Sequence, residues 1–215
     1  MSVVGFRIWG FQKGLAGILL FAAVIAGCAS IEQNRRQPIK SPQPLKLPAG
    51  QGWWYARFHL NWPPDTEPVW YLDLCLAHQV FLPLLEIHKA DIYLWRFHRR
   101  AARDAAGRMF SFIFYATPQT AQSIFSALKS DPLITKLIDD GLIERTEYDN
   151  PTRIASPKIE DTSDKQWPAS IQRTWPFYIM GASQMWLSLI AEVAAENSEG
   201  FPPSSSKDIE AFYQQ

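Results

Sequence analysis

Trp53-Trp54-Tyr55-Ala56-Arg57-Phe58-His59-Leu60-Asn61-Trp62 alternates with a period of two, and that period decides the fold. Trp54, Ala56, Phe58, Leu60 and Trp62 fall on one side, while Tyr55, Arg57, His59 and Asn61 fall on the other. The segment therefore reads as a strand with one face for a core and one polar face. Pro63-Pro64-Asp65 ends it. Asp65 or Thr66 then suits the cap of a helix with Pro68 in its first turn, running through Trp70, Leu74 and His78 to about Leu85. Pro83 kinks or shortens its last turn.

Working outward, Asp91 to Arg99 and Arg108 to Ala116 read as a second and a third strand, joined by a hairpin loop from Ala101 to Gly107. Pro118 opens a helix whose Ala121, Ile124, Phe125 and Leu128 recur on one face. Asp131 to Asp140 is a further helix, stopping at Gly141, which suits a left-handed C-cap. Leu142 to Tyr148 is a fourth strand. The order over residues 53–148 is β-α-β-β-α-β, which predicts an α+β fold of the split βαβ, ferredoxin-like kind, with helices on one face of an antiparallel sheet.

A polar linker, Asp149 to Gln166, leads to Trp167-Pro168 and Trp175-Pro176. A long C-terminal helix is expected from Phe177 to Glu196, packing on the domain through a stripe of Ile179, Met185, Trp186, Leu189, Ile190 and Val193. Residues 201–215 read as a loosely ordered tail with a short helix near Ile209. Residues 28–52 carry Pro38, Pro42, Pro44 and Pro48 among Gln, Lys and Ser, a composition that cannot build a core. This reads as a tether, or alternatively as an arm laid on the domain.

Before the tether, Arg7 and Lys13 precede the apolar run Leu15 to Ile25 and then Ala26-Gly27-Cys28. A positive start, a short apolar run and small residues at the break have the build of a secretory signal over residues 1–27. The run is shorter than the roughly 20 apolar residues of a spanning helix. Ile25-Ala26-Gly27-Cys28 resembles the lipobox of bacterial lipoproteins. That resemblance implies cleavage before Cys28 and lipidation of its thiol, and two or more acyl chains anchor a protein stably. Ala29 and Ser30, rather than Asp, follow Cys28, which in a Gram-negative bacterium implies the periplasmic leaflet of the outer membrane.

The chain of 215 residues balances 21 basic against 21 acidic side chains, so nothing attracts nucleic acid globally. With Cys28 acylated, Cys75 would be a lone thiol without a disulfide partner, and its apolar neighbours predict core burial. No Gly-x-Ser-x-Gly elbow or Gly-rich phosphate loop occurs, and the four histidines lack zincin spacing. No catalytic residue, metal or cofactor is assigned. His78, on an apolar helix, reads as a satisfied core residue.

Two polar groupings remain as candidates. Arg57, His59, Arg96 and His98 would share the outer face of the sheet, with Ser111 and Tyr115 nearby, an arrangement able to hold an anion. The same residues are ordinary on a solvated sheet face. Arg96, Arg99, Arg100, Arg103 and Arg108 surround one hairpin. Arg99, Arg100, Arg103 and Arg108 suit contact with headgroups or an acidic partner, or else form a solvated tip partly neutralised by Asp104. The aromatic segment Trp167 to Gly181 suits either a docking helix or packing on the chain's own sheet. The sequence thus points to a membrane-anchored envelope lipoprotein with a binding or assembly role and an envelope protein as partner. The alternative is an envelope enzyme or small-anion-binding protein using His59 or His98 on the Arg/His face.

Overall fold

A computed structural model describes residues 49–196 and 206–213 of the chain. The signal-like segment, Cys28 and the tether up to residue 48 lie outside the described residues. Four strands form one antiparallel sheet in the order β2-β3-β1-β4: β1 Gly52–Leu60, β2 Leu94–Ala101, β3 Arg108–Ala116 and β4 Ile143–Tyr148. The period-two reading of β1 holds as far as Leu60, with Trp54, Ala56, Phe58 and Leu60 all buried in one core with Trp95, Phe97, Phe110, Phe112 and Phe114, whereas Trp62, expected on the same face, lies past the end of the strand and outside that core.

Helices cover this face. The first run comprises α1 (Tyr71–Cys75), a π-helical turn (Leu76–Phe81) and α2 (Leu82–Ile87). It starts later than the expected Asp65 or Thr66 cap. Thr66 Oγ1 donates to the Pro63 carbonyl at 2.8 Å and Asp65 is left-handed at φ 60, so both serve the turn after β1. Pro83 does not end the helix. The Leu82 N–H donates to the Ala77 carbonyl five residues back, and this wide turn brings the chain to Pro83 as an early residue of a new α segment, where its missing N–H costs little. The same run seats Phe81 against Phe112, ring centroids 4.8 Å apart.

β2 begins at Leu94 rather than Asp91, because the Asp91 and Ile92 amides still donate to the His88 carbonyl and close the preceding helix. α3 (Pro118–Lys129) is capped by Thr117, whose Oγ1 accepts the Thr120 N–H at 3.2 Å, and buries Ala121, Ile124, Phe125 and Leu128 as the spacing requires. α4 (Pro132–Asp139) is capped by Asp131 and followed by Gly141 at φ 70.

The 149–166 stretch is not a free linker. Trp53 Nε1 donates to the Ile159 carbonyl at 2.9 Å, and Tyr115 Oη to the Pro157 carbonyl at 2.6 Å. A 3-10 turn at Ile159–Thr162 therefore lies against one end of the outer sheet face, where Trp53, Leu94, Ile113 and Tyr115 are buried.

The long helix α5 spans Ala169–Glu196, starting well before Phe177 and running through Pro176. Its buried line is Pro176, Ser183, Leu187, Ile190 and Ala194, so Met185, Leu189 and Val193 of the expected stripe face solvent instead. It packs along the free edge of β2, where Ser183 Oγ accepts the Phe97 N–H at 3.2 Å. α6 (Ser206–Tyr213) is a short helix that includes Ile209, where the sequence placed one. Ile209 is buried against the core and Tyr213 Oη bonds His78 Nδ1 at 2.7 Å and Gln79 Nε2 at 2.8 Å.

Candidate functional site

Strand register gathers the four candidate anion ligands on the outer sheet face. His98 of β2, Ser111 of β3 and Arg57 of β1 are successive cross-strand neighbours, with Glu147 of β4 beyond. Arg96, Ile113 and Tyr55 make the row on one side. Arg100, Met109, His59 and Arg145 make the row on the other. The inner/outer parity read from the sequence is therefore the parity of the fold, because side chains on adjacent strands alternate together.

The charges on this face have partners. Arg57 Nη1 donates to Asp149 Oδ1 at 3.1 Å and its guanidinium lies 4.4 Å from the Tyr55 ring. The other Asp149 oxygen accepts the Tyr55 N–H at 3.0 Å. Arg96 Nη2 donates to the Thr162 carbonyl at 3.3 Å, while its buried Nε and the buried Thr162 Oγ1 have no partner. Burial pulls the Arg96 guanidinium below its ordinary value, and interaction with the Tyr55 hydroxyl opposes that. His98 is pulled below its ordinary value by the surrounding protein and then by the Arg96 and Arg100 charges, which favours a neutral ring. His59 Nε2 lies 3.3 Å from Glu147 Oε1 and 3.4 Å from Arg145 Nη2. Desolvation pushes the Glu147 carboxyl upward, but hydrogen bonds from Arg145 and His59 bring it below its ordinary value. Beside His59 a cleft of about 360 Å³ opens between Trp62, the 102–107 loop and Glu144 and Arg145.

The hairpin arginines are engaged in a second network. Arg108 Nη2 donates to Asp73 Oδ1 at 3.1 Å and Arg99 Nε to Asp73 Oδ2 at 2.8 Å. The Asp73 and Arg108 side chains are only 3% and 1% exposed, so Arg108 does not face solvent as a headgroup contact would require. Arg99 also lies over the Trp70 and Trp186 rings, at 4.9 and 5.0 Å. Arg100 pairs with Asp104, and Arg103 sits 3.4 Å over the Trp62 ring while donating to the Trp62 and Thr66 carbonyls. Burial pushes the Asp73 carboxyl up, outweighing the pull of Arg108 and Arg99. Sequence reading missed Asp73; an acid inside an apolar helix, next to arginine-bearing strands, was its available signal.

Cys75 is fully buried and its thiol is pushed up to about 12 by burial. Among the described residues no cluster of three metal-ligating side chains occurs.

The most open feature is α5. From Thr174 to Ala191 it carries no charged residue, and Tyr178, Met185, Leu189 and Val193 are 68, 63, 53 and 54% exposed. By length and composition alone it is apolar enough to cross a membrane. No protein family, no curated protein and no solved structure matches the chain.

Proposed function

We propose that this chain is a lipid-anchored protein of the bacterial cell envelope whose folded domain has a binding or assembly role. One observation carries the reading of the domain: between Thr174 and Ala191 α5 keeps an uncharged, largely apolar side in solvent while its opposite side completes a closed core. Exposed apolar surface of that extent marks an interaction site. The lipobox-like run ending at Cys28 supports the anchor, and the Pro-rich, polar composition of residues 28–52 supports a tether between that anchor and the domain. The strand order β2-β3-β1-β4, with a helical connection after β1 and another after β3, supports a ferredoxin-like topology.

Mass spectrometry of the mature amino terminus tests the anchor. An acylated peptide beginning at Cys28 is expected; an intact Met1 or an unmodified start elsewhere refutes it. Cys28→Ser is expected to release the domain from the membrane fraction.

A second reading, small-anion binding on the outer sheet face, draws on the Arg57–Ser111–His98 row and the unpartnered Arg96 Nε. Calorimetric titration with inorganic phosphate tests it. Binding lost in Arg96→Ala and His98→Ala supports this reading, and absence of binding to the unaltered chain refutes it for phosphate.

A further inference from the structure

The exposed side of α5 is defined by its charges as much as by its apolar residues. The helix has three charged residues: Arg173 near its amino end and Glu192 and Glu196 near its carboxyl end, all exposed. None is in an ion pair among the described residues. Glu196 stands in the last turn, where the dipole of its own helix disfavours an anion, and Arg173 and Glu192 lie just inside the first and last turns. A second α5 laid antiparallel reverses this, because Arg173 then meets the end that carries Glu192 and Glu196. Parallel pairing would set like charges together.

The middle of the same face admits close approach. At Gly181 nothing lies within 4 Å of where a Cβ would stand, and Thr174 and Ser188, one heptad before and after, are also small and exposed. Tyr178, Met185 and Leu189 flank this line. An apolar groove of about 210 Å³ bordered by Trp186, Leu189, Val193 and Phe212 continues it toward α6. Helices that grip anionic lipid carry Lys and Arg along the polar flanks. α5 has one arginine and two glutamates, so its charges suit another α5 and not such a surface.

We infer that two copies of this chain associate through antiparallel α5 helices about a two-fold axis near Gly181 and Met185. The pairing is isologous, each copy offering the same surface. It goes beyond the envelope reading and needs no lipid.

The test uses the full-length chain carrying Cys28→Ser in detergent solution, so that self-association is separated from anchoring. Analytical ultracentrifugation is expected to show a concentration-dependent dimer. Gly181→Leu, whose Cβ has open space within one chain, is expected to leave thermal unfolding unchanged or raised and to weaken the dimer at least about tenfold. Arg173→Glu is expected to weaken it about tenfold through its two symmetric contacts, and adding Glu192→Arg and Glu196→Arg to that variant is expected to restore it. Met185→Cys is expected to form a disulfide-linked dimer on mild oxidation, and Arg173→Cys is not, because antiparallel pairing carries the two copies of residue 173 to opposite ends. Cys75 is sealed in the core and does not compete. A monomer at every concentration, a dimer indifferent to Gly181→Leu or to the charge exchange, or linkage through residue 173 overturns the inference. So does a monomer whose α5 face becomes protected from hydrogen exchange only on phosphatidylethanolamine and phosphatidylglycerol vesicles.

Discussion

Ser163 Oγ donates a 2.7 Å hydrogen bond to the carbonyl of Gln172, the acceptor that Pro176 leaves without a helical donor four residues on. A proline inside a helix removes one backbone bond and normally kinks or ends it. Here a buried serine after the 3-10 turn supplies the missing donor, so α5 continues through Pro176 and starts at Ala169. Ser163→Ala is expected to cost about 1 kcal/mol, the loss of one hydrogen bond to a half-buried carbonyl. Urea unfolding checks the magnitude, and faster hydrogen exchange confined to residues 169–176 checks the place.

Asp73 joins two arginines from a site that excludes water, so removing it strands Arg108. Asp73→Ala is expected to destabilise the domain by about 3–5 kcal/mol. Asp73→Leu combined with Arg108→Met removes both charges and is expected to cost much less than the sum of the single changes. A double-mutant cycle by thermal unfolding decides it; additive losses would show that the pair is not coupled.

Acid acts through the histidines. Burial holds His78 below its ordinary value, and His98 is shifted the same way. The unfolded chain therefore takes up protons first as the pH falls below about 6.5, and the stability these groups contribute is lost progressively from there to their lower folded values. Because His78 Nδ1 bonds the Tyr213 hydroxyl, the loss is expected first in α6. Proteolysis near residues 206–213 at pH 5 and at pH 7.5 checks this, with a larger difference expected in the unaltered chain than in His78→Gln.

The Cys75 thiol has the opposite dependence. In the folded chain it ionises near 12, against about 9 in its ordinary state. Between those values the unfolded state loses its proton and the folded state does not, so stability is expected to fall as pH rises above about 9. Cys75→Ala removes this component of the decline but leaves a small cavity. At pH 8 the native thiol is expected to resist maleimide until denaturant is added.

Much of the fold was legible because alternation and helical spacing are local. Phe58 and Phe112 face the core for the same reason that Arg57 and Ser111 face away: successive side chains in a strand point to opposite sides. Gly141 and Asp131 marked the ends of α4 by their own conformational preferences. Partners remote in sequence were not legible. Arg57 is held by Asp149, 92 residues away, and Arg99 by Asp73, from the preceding helix. Read alone, these arginines resembled free anion ligands or a charged hairpin tip.

By itself, then, the sequence determined which residues alternate, which segments coil and which parity of the sheet faces inward, since those follow from backbone geometry over a few residues. Contacts made across the fold carry α5 through Pro176, turn its Met185, Leu189 and Val193 outward, and close residues 206–213 against His78. In each case a group distant along the chain supplies the donor or removes the water, and spacing along one segment carries no record of it.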